Sequence, residues 1–164
     1  MLGQDSHFQV AKDSIYDFKI EGNEPIVQDF LNKHLQNYGK LVRPSLCQLF
    51  GQWLRVPQHK ISTIAEAAEY IHSASLIHDD VVDMATTRRN HPTLNTKMTN
   101  ARAVLAGDFL LAQVIRDLVD AKEFELLDRI AQVLKEMVEG EFLQDELKLK
   151  MDVTQQDLIQ VSQN

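Results

Sequence analysis

The sequence predicts an all-α fold in which long helices pack antiparallel as a bundle. Glycine and proline are scarce, at 6 and 4 of the 164 residues, so few positions would interrupt regular structure. Over long segments, apolar residues recur three and four positions apart, which is the period of an amphipathic helix. These segments are joined by short connections, as in antiparallel helical bundles.

Three helices are predicted in the amino-terminal third. Residues 1–23 are weakly patterned and indicate a short helix with loose ends. A second helix opens at Pro25 and stops near Gly39, a residue suited to a helix C-cap. A third starts around Pro44 and carries apolar residues as far as Leu54.

The fourth predicted helix has the clearest start signal. Thr63 and Glu66 fit a capping box, in which each side chain satisfies the other residue's backbone donor, and no breaker follows before about Met84. The polar residues 86–99 include Pro92 and predict a loop. Three more helices are predicted over residues 100–120, over residues 123–150 and from residue 153 onward.

Composition argues against several classes of protein. A formal net charge of −7 and a pI near 5.3 disfavour a nucleic-acid binder and a polybasic membrane-surface protein. No uninterrupted apolar run approaches the roughly 20 residues needed to span a bilayer. The single cysteine, Cys47, cannot form an internal disulfide, and no signal-peptide pattern is present. These features favour the cytoplasm.

An acidic stripe on the fourth helix predicts a cation site. Helical spacing places His72, Ser75, Asp79 and Asp83 on one face, with Asp80 beside them. Carboxylates at a helix C-terminus repel each other and the negative end of the helix dipole, so a positive partner is required. Hard oxygen ligands select Mg²⁺ or Mn²⁺. A solvated acidic helix end, or a neighbouring cluster of basic residues, would also satisfy the pattern.

Two basic segments predict phosphate binding near these aspartates. Arg88 and Arg89 follow Asp83 closely, and guanidinium groups match phosphate oxygens in bidentate geometry. Lys40 and Arg43 lie on a helix-connecting turn beside a glycine. Two basic clusters indicate two anionic groups or one very large one. The alternatives are a salt-bridged helix end for the first pair and ordinary solvated side chains for the second.

Five segments in order together resemble the amino-terminal half of the trans-polyprenyl diphosphate synthases. Leu41 stands where an arginine is usual in that family, and Asn90 where glycine is commoner. The segments are Gly39–Pro44, Ile71–Asp83, Arg88–Thr93, Ala103–Ala112 and Gly140–Gln144.

The resemblance implies a fold of isoprenoid synthase type and roles for individual residues. Asp79 and Asp83 would coordinate Mg²⁺ bridging an allylic diphosphate, Asp80 would support them, and Arg88 would contact the same diphosphate. Gln144 would lie near the metal-water shell. The diphosphate of isopentenyl diphosphate would be held by Lys40, Arg43, His72 and Arg89.

The implied reaction ionises the allylic diphosphate, and the isopentenyl double bond then attacks the resulting cation. Ala74 and Ser75 lie about one helical turn before Asp79, where small side chains would leave room for a long hydrocarbon product. They would equally allow close helix packing. Asp108 is predicted on an apolar stripe, as a buried carboxylate that pairs either with a basic residue of the site or with another helix.

Family members are about twice as long, so residues 1–164 would be the amino-terminal portion of a synthase domain, inactive or nearly so alone, and homo-oligomeric by likeness. Three alternatives stay open. The chain is a non-catalytic binding or regulatory subunit of a complete synthase; it is part of a terpene cyclase, which does not need the second diphosphate site; or it is an His-Asp phosphohydrolase in which His78 and Asp79 bind metal.

Overall fold

The computed structural model describes residues 41–149, which are almost entirely helical and confirm the all-α prediction. The predicted helices over residues 1–23, 25–38 and 153–164 lie outside the described residues. In order, the described elements are α1 (Val42–Trp53), α2 (Gln58–Val82), β1 (Thr87–Arg88), β2 (His91–Pro92), α3 (Leu94–Lys97), α4 (Asn100–Asp120) and α5 (Phe124–Leu149). They belong to two units, Met1–Asp117 and Leu118–Asn164, which are described separately.

Helices α1 and α2 pack closely because a glycine lies at their contact. A Cβ atom placed on Gly51 would lie 2.5 Å from Cγ1 of Ile61, so only glycine allows this approach. Near the same contact the Gln58 side-chain amide donates to Oε1 of Gln48 at 3.1 Å. The buried side of α2 continues with small and apolar residues. They are Ile61, Ala65, Ala67, Tyr70, Ala74 and Ile77.

The capping box predicted at Thr63 is wrong. Helix α2 begins earlier, at Gln58, with Pro57 in the N-cap position. The backbone amides of Lys60 and Ile61 donate to the Pro57 carbonyl, so the helical ladder is already formed before Thr63. The Thr63 hydroxyl instead donates back to the His59 carbonyl at 3.0 Å. Threonine makes this bond inside helices as well as at their ends, which is why the pattern misled.

The segment predicted as a loop has structure of its own. Thr87 and Arg88 pair antiparallel with Pro92 and His91, and the two turn residues have positive φ, 50° at Arg89 and 65° at Asn90. Positive φ at both positions is the type I′ geometry that a two-residue hairpin requires. The short helix α3 follows and buries Leu94.

Helix α4 has the predicted bounds, Asn100–Asp120. Its residue Asp108, however, is not buried as the apolar stripe predicted. Its buried positions within the first unit are Ala103, Ala106, Gly107, Leu110 and Val114. Val104 and Ile115 are exposed, and the Asp108 side chain is 57% exposed. The prediction of a buried Asp108 is therefore wrong, because the stripe that carries it lies on the exposed side of α4.

The second unit contains the end of α4 and the long helix α5. Lys122 has φ 59°, and the amides of Lys122 and Glu123 donate to the carbonyls of Val119 and Leu118. This is the hydrogen-bond pattern of a Schellman motif. Along α5, half-buried residues recur at helical spacing, at Leu126, Leu127, Ile130 and Leu134. Among the described residues, no helix is both long and apolar enough to cross a membrane.

We predict that Arg55→Gly stabilises the protein. Arg55 lies two residues beyond the end of α1 with φ 57° and an exposed side chain, so its left-handed backbone conformation is not compensated by side-chain packing. Glycine avoids that cost, and the free energy of unfolding should rise by about 1 kcal/mol. Urea denaturation measures the change. Arg55→Ala is the matched control and should bring no gain; an equal gain in both variants would contradict the explanation.

Stability should also depend on the ionisation of Glu66. Burial, and then the negative charge of Asp117, raise the pKa of Glu66 above its usual range. The folded state therefore binds a proton that the unfolded chain releases near pH 4.3, and stability falls as pH rises from there through the folded-state pKa. Glu66→Gln should unfold at higher urea than the parent at pH 7, with the difference vanishing toward pH 4. Glu141→Gln, an exposed control, should show no such trend.

Candidate functional site

The carboxyl end of α2 is closed by a Schellman motif built without glycine. Asp83 is the C-cap, and Met84 adopts the left-handed conformation with φ 50°. The Met84 amide donates to the Val81 carbonyl at 3.2 Å, and the Ala85 amide donates to the Asp80 carbonyl at 2.9 Å. These bonds satisfy carbonyls that a helix end otherwise leaves unpaired.

Two neutral side chains from beyond the hairpin bind the same helix end. The Asn95 side-chain amide donates to the carbonyls of Asp80 and Ala85, at 3.1 and 3.0 Å. The Thr93 hydroxyl donates to the Ala85 carbonyl at 2.8 Å. Sequence reasoning did not single out Asn95 or Thr93. Their role depends on the hairpin returning the chain to the helix end, which local patterns did not reveal.

The three aspartates of this helix end occupy different environments. Asp80 is buried and accepts a hydrogen bond from Nε of Arg88 at 2.8 Å, with side-chain exposures of 6% and 38% respectively. Asp79 is half-buried and Asp83 is exposed. Asp80 is therefore already paired with a cation, and the two other carboxylates face outward. For Arg88, the salt-bridged interpretation is what the structure contains.

Asp79 and Asp83 are suited to holding a hard divalent cation. They lie four residues apart on one helix face. Burial raises the pKa of Asp79; the Arg88 charge opposes this rise, while Asp83 and Asp80 add to it. Within residues 41–149, no three acidic, histidine or cysteine side chains converge as a complete metal site. Two carboxylates fit an ion that keeps water and takes further oxygens from a phosphate group, as Mg²⁺ does.

Three cationic residues, one on α1 and two on the hairpin, act on His72. Its pKa is lowered by burial first, and then by the charges of Arg43, Arg89 and Arg88. Arg43 lies in the first turn of α1 and Arg89 at the tip of the hairpin, and both are exposed. The fold thus brings these predicted diphosphate-binding residues into one electrostatic neighbourhood. Lys40 lies outside the described residues.

Glu69 belongs to the same neighbourhood and was missed. It is 5% exposed, one helical turn before His72. Burial raises the pKa of Glu69, and the charges of Arg43 and Arg89 oppose that rise. Its spacing from His72 continues the polar stripe toward the start of α2, and this was the available signal. A carboxylate beneath two guanidinium groups offsets their repulsion when no anion is bound.

The remaining predicted residues lie on α2, α4 and α5. Ser75 is half-buried and its hydroxyl donates to the His72 carbonyl at 2.9 Å, whereas Ala74 is completely buried. Asp108 approaches His78, with 3.5 Å between Oδ1 and Nε2, which is a helix–helix contact. Gln144 is exposed on α5, in the second unit. Its place in a metal-water shell stays a prediction.

Comparison with known proteins decides the family. The polyprenyl synthetase family model matches residues 24–164. The chain belongs to the polyprenyl synthetase family. A prenyl transferase of a Synechocystis strain is 43% identical over 109 residues, which are 65% of this chain and 34% of the relative. An all-trans-nonaprenyl-diphosphate synthase of Rhodobacter capsulatus is 33% identical over 167 residues, covering 88% of this chain and 51% of the relative.

A solved member of the polyprenyl synthase class has the same fold. The Caulobacter crescentus polyprenyl synthase, complexed with calcium and isoprenyl diphosphate, matches with a TM-score of 0.80 and 27% identity. The match covers 94% of this chain and 47% of that one. Against these three proteins, the chain spans between about a third and about half of the relative's length.

The Asp80–Arg88 pair makes a stability prediction with an internal control. Arg88→Ala would leave the buried Asp80 carboxylate without its cation, so the free energy of unfolding should fall by about 2 kcal/mol. Arg89→Ala removes the same charge from an exposed side chain and should change stability by less than about 0.5 kcal/mol. Thermal and urea unfolding of both variants measure the difference, and equal losses would refute the assigned role of Asp80.

Proposed function

We propose that this chain provides the first diphosphate-binding wall of a prenyltransferase. The enzyme condenses isopentenyl diphosphate with an allylic diphosphate and forms a medium- or long-chain polyprenyl diphosphate. The observation that carries the proposal is that the three aspartates at the end of α2 have different environments. Asp79 and Asp83 are left facing outward while Asp80 holds Arg88 beside them. Membership of the polyprenyl synthetase family supports prenyl-chain elongation as the reaction.

Asp79 and Asp83 would hold Mg²⁺ together with oxygens of the allylic diphosphate. When bound, the ion supplies Lewis-acid neutralisation of the leaving group. The relative from Caulobacter crescentus is complexed with calcium and isoprenyl diphosphate, which supports a divalent ion as the cofactor. Magnesium is our choice because carboxylate and phosphate oxygens with retained waters are its preferred ligands.

Arg88 would contribute to the same leaving group. Asp80 engages Nε of its guanidinium, and the terminal N–H groups are left to donate to phosphate oxygens in a fixed orientation. A guanidinium held in advance loses little conformational entropy on binding, and its charge is present where negative charge develops. In this arrangement Asp80 acts on the substrate through Arg88.

The isopentenyl diphosphate would be held by Lys40, Arg43, His72 and Arg89. Three of these residues share one electrostatic neighbourhood, as the lowered pKa of His72 indicates. A neutral imidazole can donate one hydrogen bond to a phosphate oxygen and adds no repulsion to the arginines. The isopentenyl double bond then attacks the allylic cation, and the released diphosphate accepts the proton, so no protein nucleophile is required.

Product length, compartment and assembly remain predictions. Of the two proposed chain-length residues, half-buried Ser75 is better placed than completely buried Ala74 to border a hydrocarbon tail. A cytoplasmic homo-oligomer is our expectation. Exposed apolar side chains on the described helices, including Leu105, Ile115 and Phe142, are consistent with self-association.

The proposal predicts magnesium-dependent binding of pyrophosphate to the chain. Asp79→Asn and Asp83→Asn should each weaken that binding by about 10-fold or more, because each removes a ligand charge. Titration calorimetry with inorganic pyrophosphate, with and without Mg²⁺, measures the effect. Asp128→Asn, an exposed aspartate on α5, is the matched control and should bind as the parent does. Unchanged affinity in both site variants would refute the metal role.

The same titration separates the alternatives. A synthase wall has two diphosphate sites, so the parent should bind two pyrophosphate molecules, and Arg43→Ala should lose one of them. A terpene cyclase would show one site that is insensitive to Arg43. We also predict that the 164-residue chain by itself does not turn over isopentenyl and allylic diphosphates at a measurable rate; clear turnover would overturn that prediction.

A further inference from the structure

His78, next to the first metal-binding aspartate, is engaged with another helix. Its Nε2 lies 3.1 Å from the Val104 carbonyl oxygen on α4 and 3.5 Å from Oδ1 of Asp108. The side chain is 31% exposed. With Nε2 protonated, the ring donates to the carbonyl, and the negative charge of the nearby carboxylate attracts the same N–H group. Both interactions favour the tautomer that has its proton on Nε2.

The ring fits because α4 has a glycine at the contact. A Cβ atom placed on Gly107 would overlap with Nε2 of His78 and lie 2.7 Å from its Cδ2. Gly107 is buried within a regular helix and has no positive φ, so its backbone conformation does not call for glycine. Space for the imidazole does. Gly107, the Val104 carbonyl and Asp108 together form a socket, the His78 socket.

The position of the socket around α2 relates it to the metal ligands. Successive residues of an α-helix are about 100° apart, so with His78 at zero, Asp79 lies at about 100°, Asp83 at about 140° and Asp80 at about 200°. Asp79 and Asp83 therefore lie between two anchored residues. One anchor is His78 on α4, and the other is Asp80 on the hairpin residue Arg88.

We propose that His78 is a positioning residue, which the Gly107 socket holds so that the rotation of α2 presents Asp79 and Asp83 together to one cation. This inference rests on the proposed function, because it gives a role to the same two carboxylates. The Nε2 of His78 is committed to the Val104 carbonyl on α4.

The test compares variants that keep or lose the hydrogen bond. His78→Gln places an amide donor at the same distance along the side chain, whereas His78→Leu has none. Gly107→Ala expels the ring and leaves its chemistry intact. Gly51→Ala is the matched control, since it crowds Ile61 at another helix contact. Two quantities are measured for each variant: amide hydrogen exchange over residues 79–83, and calorimetric affinity for inorganic pyrophosphate with Mg²⁺.

His78→Leu and Gly107→Ala should each raise exchange over residues 79–83 and weaken pyrophosphate affinity by about 10-fold, the usual effect of removing a residue that orients metal ligands. His78→Gln should stay within about 3-fold of the parent in both measurements. Gly51→Ala should lower the melting temperature and leave both quantities unchanged.

The outcomes distinguish this inference from the proposed function. If the parent binds pyrophosphate and His78→Leu binds it equally well, the positioning role is overturned while the proposed function stands. Equal losses in His78→Leu and His78→Gln would also overturn it, since packing alone would then explain the effect. If the parent binds no pyrophosphate, the proposed function fails. Unchanged exchange over residues 79–83 in His78→Leu would show separately that the socket does not hold the helix end.

Discussion

The 2.8 Å contact between Asp80 and Arg88 determines what the acidic end of α2 can do. Three carboxylates within five residues cannot all face one cation, because an α-helix distributes them around its axis. Pairing Asp80, the buried one, with Arg88 neutralises its charge and fixes the last residue of β1. Asp79 and Asp83 are left on one side, with a guanidinium beside them. The division into one structural carboxylate and two proposed ligand carboxylates follows from this pair.

The helix end is closed by neutral donors, and this affects its electrostatics. Backbone amides of Met84 and Ala85 and the Asn95 side chain satisfy its carbonyl groups. None of these donors carries a full positive charge, so the repulsion between Asp79 and its neighbours is only partly offset, by Arg88 and to a smaller extent by His78. A bound cation relieves that repulsion most directly. The helix end is thus hydrogen-bonded without a cation, while the repulsion between its carboxylates still favours binding one.

The sequence predicted those features of the fold and the site that depend on local helical periodicity. The helix over residues 100–120 was located correctly because apolar residues recur along it at helical spacing and polar residues flank it on both sides. Asp79 and Asp83 were placed on one face for the same reason. The failure at Thr63 came from a hydroxyl that bonds within a helix as readily as at its start. The exposure of Asp108 depends on which side of α4 meets α2, and no local pattern contains that information.

The roles of Asn95 and His78, which the sequence did not predict, depend on contacts between elements. Asn95 reaches α2 only because Arg89 and Asn90 accept positive φ and turn the chain back. His78 reaches α4 only because Gly107 leaves space for its ring. In each case the two partners are far apart along the chain, so no local sequence pattern predicts their contact.

These distant contacts also explain why the site is held in advance of any ligand. Helix α2 meets α1 near its start, through Gly51 and Ile61, and meets α4 near its end, through Gly107 and His78. Between these two close approaches its buried side is filled by small and aromatic residues such as Ala74 and Tyr70. The contacts near its end, at Gly107 and at Arg88, resist rotation of the turn that carries the aspartates, whereas the contact at Gly51 holds the start of the helix about five turns away. Preorganised charges of this kind cost no reorganisation when a substrate binds. The packing of α2 is therefore as much a part of the proposed binding site as the aspartates that it presents.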